Sequence, residues 1–255
     1  MDGTLVDAGG AGRRALEKAF LRLHGIENGC NGVGLAGKTD LQNVADVYRK
    51  NLGRRPTRRE ILRIRNLYLR CLPGELPNQG YRVYPGVKKF LRDVSRSKEN
   101  LLALGTGNIE EGARMKLEPA GLNRYFKFGG YGSDGHERYL LLKKAYRRAR
   151  PYLNGDRLNP KMVFVIGDTH LDVLAGKKAG FTTIGLATGF DTPEELKKAK
   201  PHFLAGSWHD LRRWWAKDIH NKIPIPKNGR TVDLRLQGKR KSEAALPIQK
   251  RAGDS

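Results

Sequence analysis

Acidic side chains are scarce in this chain. Asp and Glu number 26 against 49 Lys and Arg, a formal charge of +23 over 255 residues. That imbalance makes the molecule repel itself and attract anions, which admits phosphorylated metabolites, nucleic acid and anionic membranes as partners. The basic residues are not gathered into one stripe: Arg13-Arg14, Arg54-Arg55, Arg58-Arg59, Arg147-Arg148 and Lys197-Lys198 are spread along the chain, as on a solvated surface. Cysteine is scarcer still. Cys30 and Cys71 have no metal-ligand spacing and cannot build a disulfide framework, so a reducing, cytoplasmic setting is expected. No apolar run approaches the length of a membrane span, and the opening Met1-Asp2-Gly3 lacks the basic flank and apolar core of a secretory signal. No internal repeat is visible.

What is present begins with residues 162–172, Met-Val-Phe-Val-Ile-Gly-Asp-Thr-His-Leu-Asp. Four apolar residues, 163–166, run into a glycine and two acids four apart, the pattern of a buried parallel strand that stops and delivers charge to the top of a sheet. Asp168 at the strand end and Asp172 in the following turn can converge on one point. Hard oxygen donors paired in this way suit Mg2+, which keeps several waters and shares its other positions with a substrate phosphate. A helix start capped by an acid explains the same residues in purely structural terms.

Strands alternate with helical patterns along most of the chain, which predicts an α/β fold. Residues 13–24, 41–52 and 59–72 carry three helical patterns with no strand signal between them, and Pro73, Gly74, Pro77 and Gly80 mark the way back. The segment 13–79 therefore reads as an inserted helical module. Helices are then expected at 87–94, 110–120, 139–150 and 173–179, with strands at 101–104, 126–131 and 183–187 and a last edge strand at 202–204. Trp208, Trp214 and Trp215 read as packing for a terminal helix. From residue 218 onward Ile223-Pro224-Ile225-Pro226, Lys239-Arg240-Lys241 and Lys250-Arg251 predict a basic, disordered tail, whose sharper reading is a nucleic-acid arm.

Three segments share one layout, an apolar strand or its remnant followed by a turn of small and acidic residues. They are Asp2-Gly3-Thr4-Leu5, Leu104-Gly105-Thr106-Gly107-Asn108 and Gly167-Asp168-Thr169-His170-Leu171-Asp172. In this order the set resembles the haloacid dehalogenase superfamily, and more narrowly its phosphoglycolate-phosphatase-like members, over about residues 1–211. The resemblance implies a Rossmann-like parallel-sheet core, residues 1–12 and 80–217, with an all-helical cap at 13–79 and a tail at 218–255. It implies a Mg2+-dependent phosphomonoester hydrolase of small phosphorylated metabolites that works through an aspartyl-phosphate, with a phosphomutase as the variant that uses the same residues. Asp2 matches the acid/base; Thr106, Gly107 and Asn108 match a phosphate cradle; Asp168 and Asp172 match the metal carboxylates. Lys116 or Arg138 is the cation that neutralises nucleophile and phosphate. Lys38, in Gly37-Lys38-Thr39-Asp40, is placed to reach a second anionic group, while Thr39 or Asp40 as a helix N-cap explains that stretch without a ligand.

The pattern departs from the family at its front. The nucleophilic Asp is expected two residues before the acid/base, one position ahead of Met1, and the first strand of the sheet is missing with it. The expectation is that Met1 is an internal methionine of a longer chain; the other reading is a protein that begins here without a nucleophile. A non-catalytic protein that binds anions or nucleic acid is the alternative from a different functional class, and it predicts steeply salt-dependent binding.

Overall fold

The computed structural model describes residues 1–76, 80–153, 155–218 and 232–234. In chain order the elements are β1 (Val6–Ala8), α1 (Ala11–His24), α2 (Asp40–Leu52), α3 (Arg58–Glu75), β2 (Tyr81–Val83), α4 (Val87–Ser95), β3 (Ala103–Gly105), α5 (Glu110–Leu117), β4 (Phe128–Gly130) and α6 (Arg138–Arg148). The second half continues with β5 (Phe164–Gly167), α7 (His170–Ala179), β6 (Thr182–Leu186), α8 (Pro193–Lys198), β7 (Phe203–Ala205), α9 (Trp208–Asp218) and β8 (Val232–Asp233). The class is α/β, as the alternation of patterns predicts.

Helices α1, α2 and α3 pack on one another around a core of their own. Phe20, Tyr48, Ile64 and Leu72 are fully buried in it, and the rings of Phe20 and Tyr48 meet edge to face at 5.1 Å. Each such side chain removed from water stabilises the block by about 2–3 kcal/mol. Two of these helices start at reciprocal caps. Thr39 Oγ1 accepts from Gln42 N while Gln42 Oε1 accepts from Thr39 N, and Thr57 and Glu60 repeat the arrangement. Pro73 does not end α3, which runs on to Glu75. A proline in a last turn removes one helical hydrogen bond, and here buried Glu75, paired with Arg14 and Lys18, holds that turn in place.

A short antiparallel ribbon, β1 with β2, joins the helical block to the rest of the chain. Its residues show no strand signal in the sequence, because three-residue strands are too short for a period of two to register. The parallel strands fall into two groups. β3 pairs with β4, and β5, β6, β7 and β8 form a four-stranded sheet in that order. β6 is buried along its whole length. Two expectations are corrected by β8: β7 is not an edge strand, and the chain beyond residue 218 is not disordered throughout, since residues 232–234 join the sheet and Leu234 is 3 % exposed in the core. Buried Leu234 supplies what the surrounding basic composition conceals. The basic runs at 239–241 and 250–251 lie outside the described residues.

Among the described residues β3 and β5 are not paired with each other. Between them lies an apolar crevice of about 350 Å³, lined by Leu102 and Leu104 on one side and by Phe164 and Ile166 on the other. Trp208, 2 % exposed, closes it from below against Phe90, with ring centroids 5.0 Å apart, and Trp214 packs on Phe203 at 4.5 Å. The tryptophans are therefore core. In both parallel groups the register aligns glycines at the carboxyl ends, Gly105 with Gly130 and Gly167 with Gly185, and the segments that follow β3 and β5 line one cavity. That is where parallel sheets place their ligands.

Candidate active site

A cavity of about 500 Å³ lies between the helical block and the carboxyl ends of β3 and β5. The first segment to reach it is the turn 2–5. Gly3 has φ +78°, and a Cβ there would fall 2.1 Å from Asp168 Oδ2, so both the backbone conformation and the close approach require glycine. The approach lets Thr4 Oγ1 donate to Asp168 Oδ1 at 2.6 Å, and Trp208 Nε1 anchors the turn by donating to Thr4 O at 2.9 Å. Phe190 N donates to the other oxygen of Asp168 at 3.0 Å. Asp168 is 2 % exposed, and burial, reinforced by the nearby Asp172 carboxylate, pushes its pKa up.

Asp172 is reached from α7. Thr169 caps that helix, accepting from Asp172 N and donating to Asp172 Oδ2 at 2.7 Å. The helix start is capped, as the structural reading expects, but by Thr169 rather than by an acid, with Asp172 completing the capping box at its third position. Its other oxygen receives Arg138 Nη2, and Arg138 Nη1 donates to Gly37 O at 3.0 Å, which ties α6 to the loop before α2. Burial alone would raise the Asp172 carboxyl; the Arg138 guanidinium reverses that and holds it below the usual range.

The second anionic position is built on α5. Lys116, 6 % exposed, points back along the helix, and its Nζ donates to Asp2 Oδ2 at 2.9 Å and to Asn108 Oδ1 at 2.7 Å. Asn108 Nδ2 is shared between Asp2 Oδ2 at 3.2 Å and Thr106 Oγ1 at 3.0 Å. Asp2, Thr106, Asn108 and Lys116 form one connected network. Burial would raise Asp2, but the Lys116 ammonium more than offsets it, so Asp2 is ionised well into the acid range; Lys116 is raised in turn by Asp2 despite its own burial. The two basic residues proposed for one role stand on different acids, Lys116 on Asp2 and Arg138 on Asp172.

The loop 37–40 closes the cavity over the turn 106–109. Asp40 N donates to Gly107 O at 2.8 Å, Ile109 N donates to Asp40 Oδ2 at 2.8 Å, and a Cβ on Gly107 would lie 2.3 Å from Lys38 O. Lys38 lines the cavity, but its Nζ is paired with Asp46 at 2.7 Å, so a second anionic group would meet an ammonium already engaged. Thr39 is the N-cap of α2, and Asp40 spends its carboxylate on the start of α5 instead. Its enclosure there raises its pKa to about 6 against the pull of Lys116.

Comparison with known proteins adds to this geometry. Residues 140–211 match the family described as HAD-hydrolase-like. Over 142 residues the chain is 31 % identical to the probable phosphatase IndB of Dickeya dadantii, a match spanning 53 % of this chain and 57 % of that protein. It is 26 % identical over 230 residues to the phosphoglycolate phosphatase of Salmonella choleraesuis, covering 83 % of this chain and 88 % of its relative. A predicted phosphoglycolate phosphatase from Haemophilus somnus superposes with a TM-score of 0.62 at 20 % identity, over 84 % of this chain and 94 % of the other. Over residues 140–211 the chain is similar to haloacid dehalogenase-like hydrolases, and its fold is similar to that of phosphatases of that kind.

Two carboxylates that line the cavity are candidates to hold a divalent metal. Among the described residues no cluster of three or more metal-binding side chains occurs. A dedicated cage is not what Mg2+ requires; one or two carboxylates with water and a phosphate oxygen suffice. Asp168 and Asp172 could supply that pair, with Arg138 and Thr169 already holding the two oxygens of Asp172.

Sequence reasoning did not single out Asn43 and Tyr68, which line the cavity from α2 and α3. Helical spacing reads both as interior positions, and spacing carries no mark of a cavity on one side.

Proposed function

We propose that this chain carries the site of a Mg2+-dependent hydrolase of small phosphomonoesters that works through an aspartyl-phosphate, the attacking Asp being absent from this sequence, with the helical block 13–79 as a cap over the site. One observation carries the reading. A cation-held carboxylate, Asp2 with Lys116, shares a single cavity at the strand ends with the Asp168–Asp172 pair and the Thr106–Asn108 turn.

The phosphoryl group would rest on the Thr106 hydroxyl, whose hydrogen is free to donate because its oxygen already accepts from Asn108 N at 3.1 Å, and on the Lys116 ammonium. The family pattern sets the attacking carboxylate one position ahead of Met1. In a chain that carries that carboxylate, its oxygen would bond to phosphorus as the ester P–O bond breaks, and Asp2, having taken a proton from solvent on substrate binding, would give it to the leaving alkoxide. It then takes a proton from the water whose oxygen attacks phosphorus, which releases inorganic phosphate and frees the attacking carboxylate. Asp2 begins as an ionised partner of Lys116. An arriving phosphate draws that ammonium toward itself, which weakens the hold on Asp2 and raises its affinity for the proton it must deliver. Mg2+ on Asp168 and Asp172 would supply charge neutralisation for the phosphoryl oxygens.

The setting we propose is the cytoplasm. Cys30 and Cys71 are free and buried thiols, and among the described residues no helix is long and apolar enough to cross a membrane. The deciding assay measures Mg2+-dependent phosphate release from a panel of phosphomonoesters, by this chain and by one carrying an apolar strand and Asp ahead of Met1. Activity removed by Asp168→Asn supports the hydrolase; no release from either folded form sinks it.

A further inference from the structure

Two side chains of the cap line the cavity with polar groups that the protein leaves unsatisfied. Tyr68 on α3 is 5 % exposed, and its hydroxyl makes no hydrogen bond to a described residue. Asn43 on α2 is 8 % exposed, and its Oδ1 is buried without a partner. A Cβ built on Gly12 would lie 3.0 Å from Lys116 Nζ and 3.7 Å from the Tyr68 hydroxyl oxygen, so the hydroxyl stands near the ammonium that holds Asp2. Buried polar groups are nearly always paired, and a hydroxyl and an enclosed amide oxygen left unpaired on two residues that line one cavity are completed by a ligand once the Asn43 amide turns toward it.

The cations around the same cavity are committed. Lys38 is paired with Asp46, Arg65 with Glu111, Arg138 with Asp172 and Lys116 with Asp2, while Arg13 forks onto the carbonyl oxygens of Cys30 and Val33. A carboxylate on the substrate's leaving group would have to break one of these arrangements. A hydroxyl would not.

We propose that Tyr68 and Asn43 form a leaving-group subsite for a neutral, hydroxyl-bearing group, so that this chain prefers phosphomonoesters of small polyols or sugars to those of hydroxy acids. The proposal rests on the phosphatase reading, in which the ester oxygen faces Asp2. The Tyr68 hydroxyl bonds one substrate hydroxyl, and rotation of the Asn43 amide presents either of its ends to a second.

Calorimetric titration of the full chain with Mg2+ tests it, using ethyl phosphate, glycerol 3-phosphate and 2-phosphoglycolate. Glycerol 3-phosphate is expected to bind about 10-fold more tightly than ethyl phosphate, the value of one good hydrogen bond, and 2-phosphoglycolate no more tightly than ethyl phosphate. Tyr68→Phe brings the glycerol-to-ethyl ratio close to one, and Asn43→Ala lowers it; thermal denaturation of each variant checks that it is folded, and the tyrosine variant decides alone if the other is not. A wild-type ratio near one, a ratio that neither variant moves, or tighter binding of 2-phosphoglycolate overturns the subsite. Ethyl phosphate reads the phosphate cradle by itself, so its binding with a flat ratio defeats only the subsite. Failure of all three esters to bind defeats the phosphatase reading as well.

Discussion

Asp40 shows at the scale of one residue how position overrides composition. Its carboxyl caps the start of α5 from another element and is raised to about 6 from an ordinary value of 3.8. An acid with a raised folded pKa binds more protons folded than unfolded between those two values, so stability falls as pH climbs from about 4 to 6. Asp40→Asn is expected to flatten that fall, as read by denaturant titrations at pH 4, 5 and 6.5. Lys116 makes the opposite case. Lys116→Ala leaves Asp2 charged and enclosed without its partner, and should cost on the order of 2–3 kcal/mol; Asp2→Asn in the same chain should restore more than half of it. If the double variant is as unstable as the single one, the pair is not coupled as described. Both residues are plain in the sequence, but only Lys116 is distinguishable there, as the cation on the helix after Thr106. Nothing in the order of residues says that Asp40 serves a helix sixty-nine positions away.

At the scale of elements, what matters is how the loop 37–40 sits on the turn 106–109. Gly107→Ala drives a methyl group to within 2.3 Å of Lys38 O, a backbone atom that cannot swing aside, so the loop must lift. The expected result is a loss of phosphate binding of about 10-fold or more with a smaller loss of stability, separable by titration with phosphate and by melting. Thr39→Ala removes the oxygen side of the α2 capping box and should cost about 1 kcal/mol. The helices themselves were legible, because α1, α2 and α3 each carry an apolar stripe at helical spacing. The ribbon β1–β2 and strand β8 were not, since two or three residues cannot display a period.

Across the whole molecule the feature with the largest consequence is the crevice between β3 and β5. Two parallel strands expose their facing edges, and β5 is only partly buried although it is the most apolar strand signal in the chain. A five-residue apolar strand fused ahead of Met1 would pair with both edges and cover Leu104 and Ile166. Melting should rise by several degrees, since about 1 kcal/mol corresponds to roughly 2–4 °C for a chain of this size. A scrambled, polar extension of equal length is the control, and an equal shift from both would refute the pairing.

The sequence by itself determined the class, the three helices of the block 13–79 and the strands that bring Thr106 and Asp168 to their carboxyl ends. Those are consequences of local periodicity and of residue chemistry at the point where an apolar run stops. Only the tertiary structure decided which cation meets which acid, that Asp40 closes the loop 37–40 onto α5, and that Asn43 and Tyr68, though buried, also line a cavity. Each of these depends on contacts between residues far apart in the chain, and no local pattern records what stands opposite a side chain once the elements have packed.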